Sequence, residues 1–115
     1  MAEVVALVPD LLFGSRVEAM LTGAGHSVAL VAEPGRALEL AAQADVLVVD
    51  LAGGEIDGPA LLEGGPAGAK TLGFFSHVEP EVRERALAAG FDQVVPRSRM
   101  NREGAELVSA LAAAP

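Results

Sequence analysis

The chain contains no cysteine, no tryptophan and no tyrosine. Without cysteine there are no disulfides, no thiolate metal sites and no thiol nucleophile. Four phenylalanines are the only aromatic residues among 115, so the stacking platforms that hold unpaired bases have nothing to be built from. Positive charge is scarce as well. Eight Lys and Arg stand against sixteen Asp and Glu, a formal net charge of -8. Such a chain repels a phosphate backbone, and no direct nucleic-acid partner is expected. Of the two histidines, neither has a second histidine at metal-binding spacing, so a zinc site is not expected and His77 reads as an exposed loop residue. No apolar run approaches membrane-spanning length, and Met1-Ala2-Glu3 is not a basic leader. The expectation is a soluble, cytoplasmic protein without membrane contact.

What is present is aliphatic. Hydrophobic residues make up 51% of the chain, enough for a core of Val, Leu and Ala in one compact domain over residues 1–115. Short apolar runs alternate with helical patterns from end to end. Strands are expected at Val4–Val8, Ser27–Ala32, Val46–Val49, Thr71–Phe75 and Gln93–Val95. They read as near-continuous apolar runs, the signature of strands buried on both faces. Between them lie helical spacings. Val17, Met20, Leu21 and Ala24 form the first, with Ser15 placed to cap it. Ala37, Leu38, Leu40 and Ala41 form the second, opened by Pro34. Leu61 and Leu62 follow Pro59 in a short third. Val82, Ala86 and Leu87 face inward in a fourth, which starts at Pro80 with Glu79 and Glu81 suited to its dipole. Leu107, Val108 and Leu111 form the last, with Asn101 placed to cap it. Strands separated by helices imply parallel pairing through right-handed crossovers. The expected fold class is α/β: a three-layer sandwich with a five-stranded parallel sheet, order 2-1-3-4-5, and helices on both faces.

In such sheets ligands bind beyond the carboxyl ends of the strands. Asp10 follows the first strand, Asp50 the third, Ser76 the fourth and Arg97 the fifth. In the expected order the first strand is central, which makes Asp10 and Asp50 neighbours. Two close carboxylates repel unless a cation or proton intervenes, and a hard oxygen-ligated ion such as magnesium answers that need. A carboxylate beside such an ion is a nucleophile toward phosphorus; a hydroxyl and a guanidinium nearby bind phosphoryl oxygens. Taken singly, an Asp after a strand as often caps a turn or a helix. It is the gathering of four polar groups at four strand ends that points to a site. Arg97, Arg99 and Arg102 place three of the eight basic residues within six positions. They read first as local charge balance, and second as an anion or acidic-partner surface.

The stretch Val48-Val49-Asp50-Leu51-Ala52-Gly53-Gly54-Glu55-Ile56-Asp57-Gly58 resembles the receiver domains of two-component response regulators, in which an apolar strand ends at the phospho-acceptor Asp and an Asp-Gly turn follows seven residues on. Ala88-Ala89-Gly90-Phe91-Asp92 is similar to the family's ending of the fourth helix. The resemblance spans nearly the whole chain and rests on the order and spacing of loose motifs. It implies a phosphorelay phosphoprotein that is not an enzyme: Asp50 is the phospho-acceptor, Asp10, Asp50 and the Ala52 backbone carbonyl hold magnesium, and Ser76 contacts the phosphoryl group. It also implies partners: a histidine kinase or another signalling protein, with the fourth helix, fifth strand and last helix available for partners or a homodimer.

Three departures mark the receiver as atypical. Pro9 stands where the family has its first acid, which implies weak magnesium binding. Arg97, preceded by Pro96, stands in place of a Lys, and a planar fork differs in reach from an ammonium. Val94 takes the position of a switching aromatic ring. Two versions stay open: acceptance of phosphate on Asp50, or a degenerate receiver that signals by protein contact alone. No DNA-binding or enzymatic segment follows the last helix before Ala114-Pro115, so the expectation is a stand-alone receiver or one whose effector lies outside these residues. The alternative, carried by Gly53-Gly54, is a flavodoxin-like ligand-binding domain unrelated to phosphotransfer.

Overall fold

A computed structural model of the chain describes residues 2–52, 56–64, 68–76 and 80–115. Expectations placed on Gly53-Gly54, His77 and Glu79 lie outside the described residues.

The elements run β1 (Glu3–Leu7), α1 (Leu11–Gly23), β2 (Ser27–Val31), α2 (Pro34–Ala41), β3 (Val46–Asp50), α3 (Gly58–Glu63), β4 (Lys70–Phe75), α4 (Pro80–Ala89), β5 (Gln93–Pro96) and α5 (Arg97–Ala113). All four strand pairings are parallel, in the order β2-β1-β3-β4-β5. The expected sandwich is therefore observed.

Strand side chains alternate between faces with period two, and the sheet divides its core accordingly. Val4, Ala6 and Val8, Val46 and Val48, Leu72 and Phe74, and Val95 pack with α1 and α5. Val5 and Leu7, Leu47 and Val49, Phe75 and Val94 pack with α2, α3 and α4. Because both faces are covered, the central strands lack polar residues until their ends, where Asp50 closes β3.

The helix starts differ from the expected caps. Asp10, not Ser15, caps α1: its side chain accepts from the Leu12 and Phe13 amides, at 3.0 and 3.1 Å through Oδ1. Ser15 lies exposed within the helix. Asn101 is likewise inside α5, which begins at Arg97 directly after Pro96. α5 starts as soon as β5 releases the chain and α1 starts under the Asp10 cap, so the capping preference of a later Ser or Asn has no say. Leu87 is also placed differently, at 37% exposure. The inward face of α4 is set by Val82 and Ala86, four residues apart; Leu87 lies one residue further round the helix. The turn from α4 into β5 needs the left-handed backbone of Gly90, φ 116°. It is tied to β4 where Asp92 accepts from the Thr71 amide at 2.8 Å and the Thr71 hydroxyl at 3.1 Å.

Candidate functional site

Strand alternation says which polar residues can meet. Counting in twos along the α1–α5 face gives 4, 6, 8 and 10; 46, 48 and 50; 72, 74 and 76; 95 and 97. Asp50 closes its row at the end of β3 and Ser76 follows β4, while Asp10, the N-cap of α1, and Arg97, the first residue of α5, lie past the carboxyl ends of β1 and β5. Their strands are adjacent, with Leu7 opposite Val49, Asp50 opposite Phe74 and Phe75 opposite Pro96.

Asp10 and Arg97 are in contact. A guanidinium nitrogen of Arg97 donates to Asp10 Oδ2 at 3.3 Å, while Oδ1 caps α1. The Arg97 guanidinium also lies over the Phe13 ring, 4.1 Å from its centroid, a cation–π geometry. Phe13 in turn packs on Phe74, centroids 5.2 Å apart, so the cation rests on a buried aromatic support. The Phe13 amide is the largest cause holding the Asp10 carboxyl below its usual range. Desolvation opposes it, and the Arg97 hydrogen bond, the Leu12 amide and the Arg97 charge add to the lowering.

Asp50 is buried, at 6% exposure, and its Oδ1 accepts from the Ala52 amide at 2.8 Å. The Ser76 hydroxyl donates to the Ala52 carbonyl at 3.5 Å. A carboxylate, a carbonyl and a hydroxyl are thereby gathered at the ends of β3 and β4. Oxygen donors for a hard cation exist on Asp10, Asp50 and the Ala52 carbonyl, which suits magnesium, an ion that takes one or two carboxylates and completes its shell with water and phosphate. The donors are few. Pro9 brings no carboxylate, and among the described residues no group of three or more His, Cys, Asp or Glu is arranged to hold a metal.

The residues sequence reasoning missed lie on α1. Between α1, the β4 end and the start of α5 opens a cleft of about 690 Å³, lined by Leu12, Phe13, Arg16, Phe75, Ser76, Pro96, Arg97, Ser98 and Asn101. Arg16 donates to Asn101 Oδ1 at 3.4 Å across it. Asp10 and Asp50 are not among its lining residues. The available signal was Phe13: an aromatic just past the first strand, in a chain with four.

No family model matches the chain, and no curated protein matches it by sequence. Solved structures do match. The signal receiver domain of the response regulator NarL from Mycobacterium tuberculosis is 24% identical, with 99% of this chain and 98% of that one covered and a TM-score of 0.83. The receiver domain of the Pseudomonas aeruginosa sensor histidine kinase PA1611, solved with a magnesium ion coordinated in its active-site cleft, is 18% identical, with 98% of each chain covered and a TM-score of 0.83. The receiver domain of a Francisella response regulator is 18% identical, with 97% of each covered and a TM-score of 0.82. The chain has the receiver fold over its whole length.

Proposed function

We propose that this chain is a signal receiver module that accepts a phosphoryl group on Asp50. The observation that carries the proposal is the placement of Asp50: a buried carboxylate ending a central parallel strand, with Ser76 and the Ala52 carbonyl beside it, in a fold shared end to end with receiver domains.

The chemistry is a displacement at phosphorus. A carboxylate oxygen of Asp50 bonds to the phosphorus of a phosphoramidate-type donor such as phosphohistidine. The P–N bond breaks, and the leaving nitrogen keeps the electron pair and takes a proton from solvent. Ser76 is placed to turn its hydroxyl from the Ala52 carbonyl to a phosphoryl oxygen. Arg97 offers a planar, permanently charged fork for two such oxygens once it leaves Asp10. Magnesium, held by Asp10, Asp50 and the Ala52 carbonyl, would supply charge neutralisation, and Arg97 competes with it for Asp10. The chain turns over no substrate of its own in this role. Its partners are a histidine kinase or another signalling protein in the cytoplasm, met through α4, β5 and α5, where a homodimer also forms in this proposal.

A second version has its own support. With Pro9 in place of an acid and Arg97 already paired to Asp10, the same face serves as a protein contact without phosphate. One experiment separates the two. Incubation with phosphoramidate and magnesium is expected to add one phosphoryl group to the wild-type chain by intact mass and none to Asp50→Asn. An equal gain in Asp50→Asn overturns the acceptor assignment. No gain in either chain, with the fold intact, leaves the contact-only version standing and removes the first.

A further inference from the structure

The cleft between α1 and α5 shares Ser76 and Arg97 with the proposed phosphoryl site and adds Leu12, Phe13, Arg16 and Asn101, which phosphoryl transfer does not use. We infer that it binds a small amphiphilic anion: a molecule with an acidic head and an apolar body. Its volume, about 690 Å³, falls in the range of small-molecule sites. Its apolar walls are buried Phe13 together with Leu12 and Pro96. Leu12 is 86% exposed, and Leu11 beside it 82%; with Leu87 they are the exposed large hydrophobic residues of the described chain. An aliphatic side chain held in water at the lip of an aromatic-floored cleft gains by being covered.

Charge decides the head group. The protein carries a net charge of -8, yet no carboxylate lines the cleft, and its two charged lining residues are both arginine, Arg16 and Arg97. Arg97 is already paired to Asp10, whereas Arg16 is exposed and, among the described residues, meets a neutral oxygen, that of Asn101, at 3.4 Å. Guanidinium forks recognise carboxylate, sulfonate or phosphate oxygens in pairs. Arg16 and Asn101 come from α1 and α5 respectively, so a head group bound there is gripped by both helices while its body lies against Phe13 and Leu12. Binding through Arg16, Asn101 and Leu12 does not require phosphorylation of Asp50, although Arg97 is common to both sites.

The test uses the full chain and two fluorescent probes that differ by one charge: anilinonaphthalene sulfonate and uncharged phenylnaphthylamine. The anionic probe is expected to saturate one site per chain and to bind about tenfold or more tighter than the neutral one. Arg16→Gln is expected to weaken it by about tenfold, the loss of a charged hydrogen bond. Leu12→Glu is expected to remove saturable binding; both side chains are exposed and Glu suits a helix first turn, so circular dichroism should match wild type. Amide NMR shifts on wild-type protein are expected to cluster at Phe13, Ser98 and Asn101. Equal affinity for both probes, wild-type affinity in Arg16→Gln, shifts centred elsewhere, or no binding of either probe would each overturn the inference.

Discussion

Gly73 in β4 offers the sharpest test of how the chain just after Asp50 is supported. A Cβ added there would stand 2.9 Å from Leu51 Cδ1 and 3.3 Å from the Phe91 ring. Leu51 directly follows Asp50, and both Leu51 and Phe91 are buried, at 7% and 4% exposure. Neither can retreat into solvent. Overpacking of this kind costs about 1–3 kcal/mol. Against it, Ala is favoured over Gly in an extended strand by roughly 0.5–1 kcal/mol. The balance is a net loss of about 1–2 kcal/mol in Gly73→Ala, which for a domain of this size lowers Tm by roughly 4–8 °C. Gly35 in α2 is the control: nothing lies within 4 Å of its added Cβ, so Gly35→Ala should gain up to about 1 kcal/mol from helix propensity. Urea and thermal unfolding followed by far-UV circular dichroism measure both, since the chain has no tryptophan to report. Combining Gly73→Ala with Leu51→Ala should cost less than the sum of the two singles, because truncating Leu51 relieves the clash. If Gly73→Ala is as stable as wild type, or strict additivity holds, Leu51 is not wedged as the structure has it.

Asp10 predicts an acid response. Its folded carboxyl titrates below the usual range, so its contribution is complete above the unfolded value and is lost as pH falls through the folded one. The stability gap between wild type and Asp10→Ala should therefore be full near neutrality and shrink in acid; a gap unchanged between pH 7 and pH 3, read by urea unfolding, would contradict the cap and ion pair. His26, buried at 7% exposure, accepts from the Ala2 amide at 3.1 Å through Nδ1, which assigns the ring proton to Nε2, facing the Ser109 hydroxyl at 3.0 Å. His26→Leu strands the Ala2 amide and should cost about 1–3 kcal/mol. His26→Asn, whose amide oxygen can replace Nδ1, should recover part of that; a neutral His26→Leu would show the pairing to be incidental.

Much of this molecule is legible in the chain because a parallel sheet buried on both sides writes itself as apolar runs. Val46–Val49 could be read as a strand without knowing its neighbours, and each observed boundary lies within one residue of the expected one. The strand ends then nominate Asp10, Asp50, Ser76 and Arg97. Illegible were features set by distant partners. Ser15 and Asn101 have the right side chains for a cap, but α1 begins at Leu11 under the Asp10 cap and α5 begins at Arg97 where β5 ends. Arg97 over Phe13 joins residues far apart in sequence, and no local pattern announces it. Leu87 went astray because α4 buries a narrow face, on which Val82 and Ala86 suffice.

The three departures from the family pattern are connected through α1. With Pro9 beside it rather than an acid, Asp10 takes a permanent positive charge from Arg97. That choice ties Arg97 to Asp10, the N-cap of α1, and to Phe13 in its first turn. Under the proposed function, a phosphoryl group on Asp50 recruits Arg97 only by drawing it off both. Arg97 is also the first residue of α5, so the displacement is felt where α1 and α5 meet. A ring at position 94 would have carried the change toward α4, since Val94 packs on that face of the sheet. With Val94 there instead, a phosphoryl group on Asp50 would, under that proposal, act on the opposite face, through Arg97 and Phe13, toward the cleft between α1 and α5.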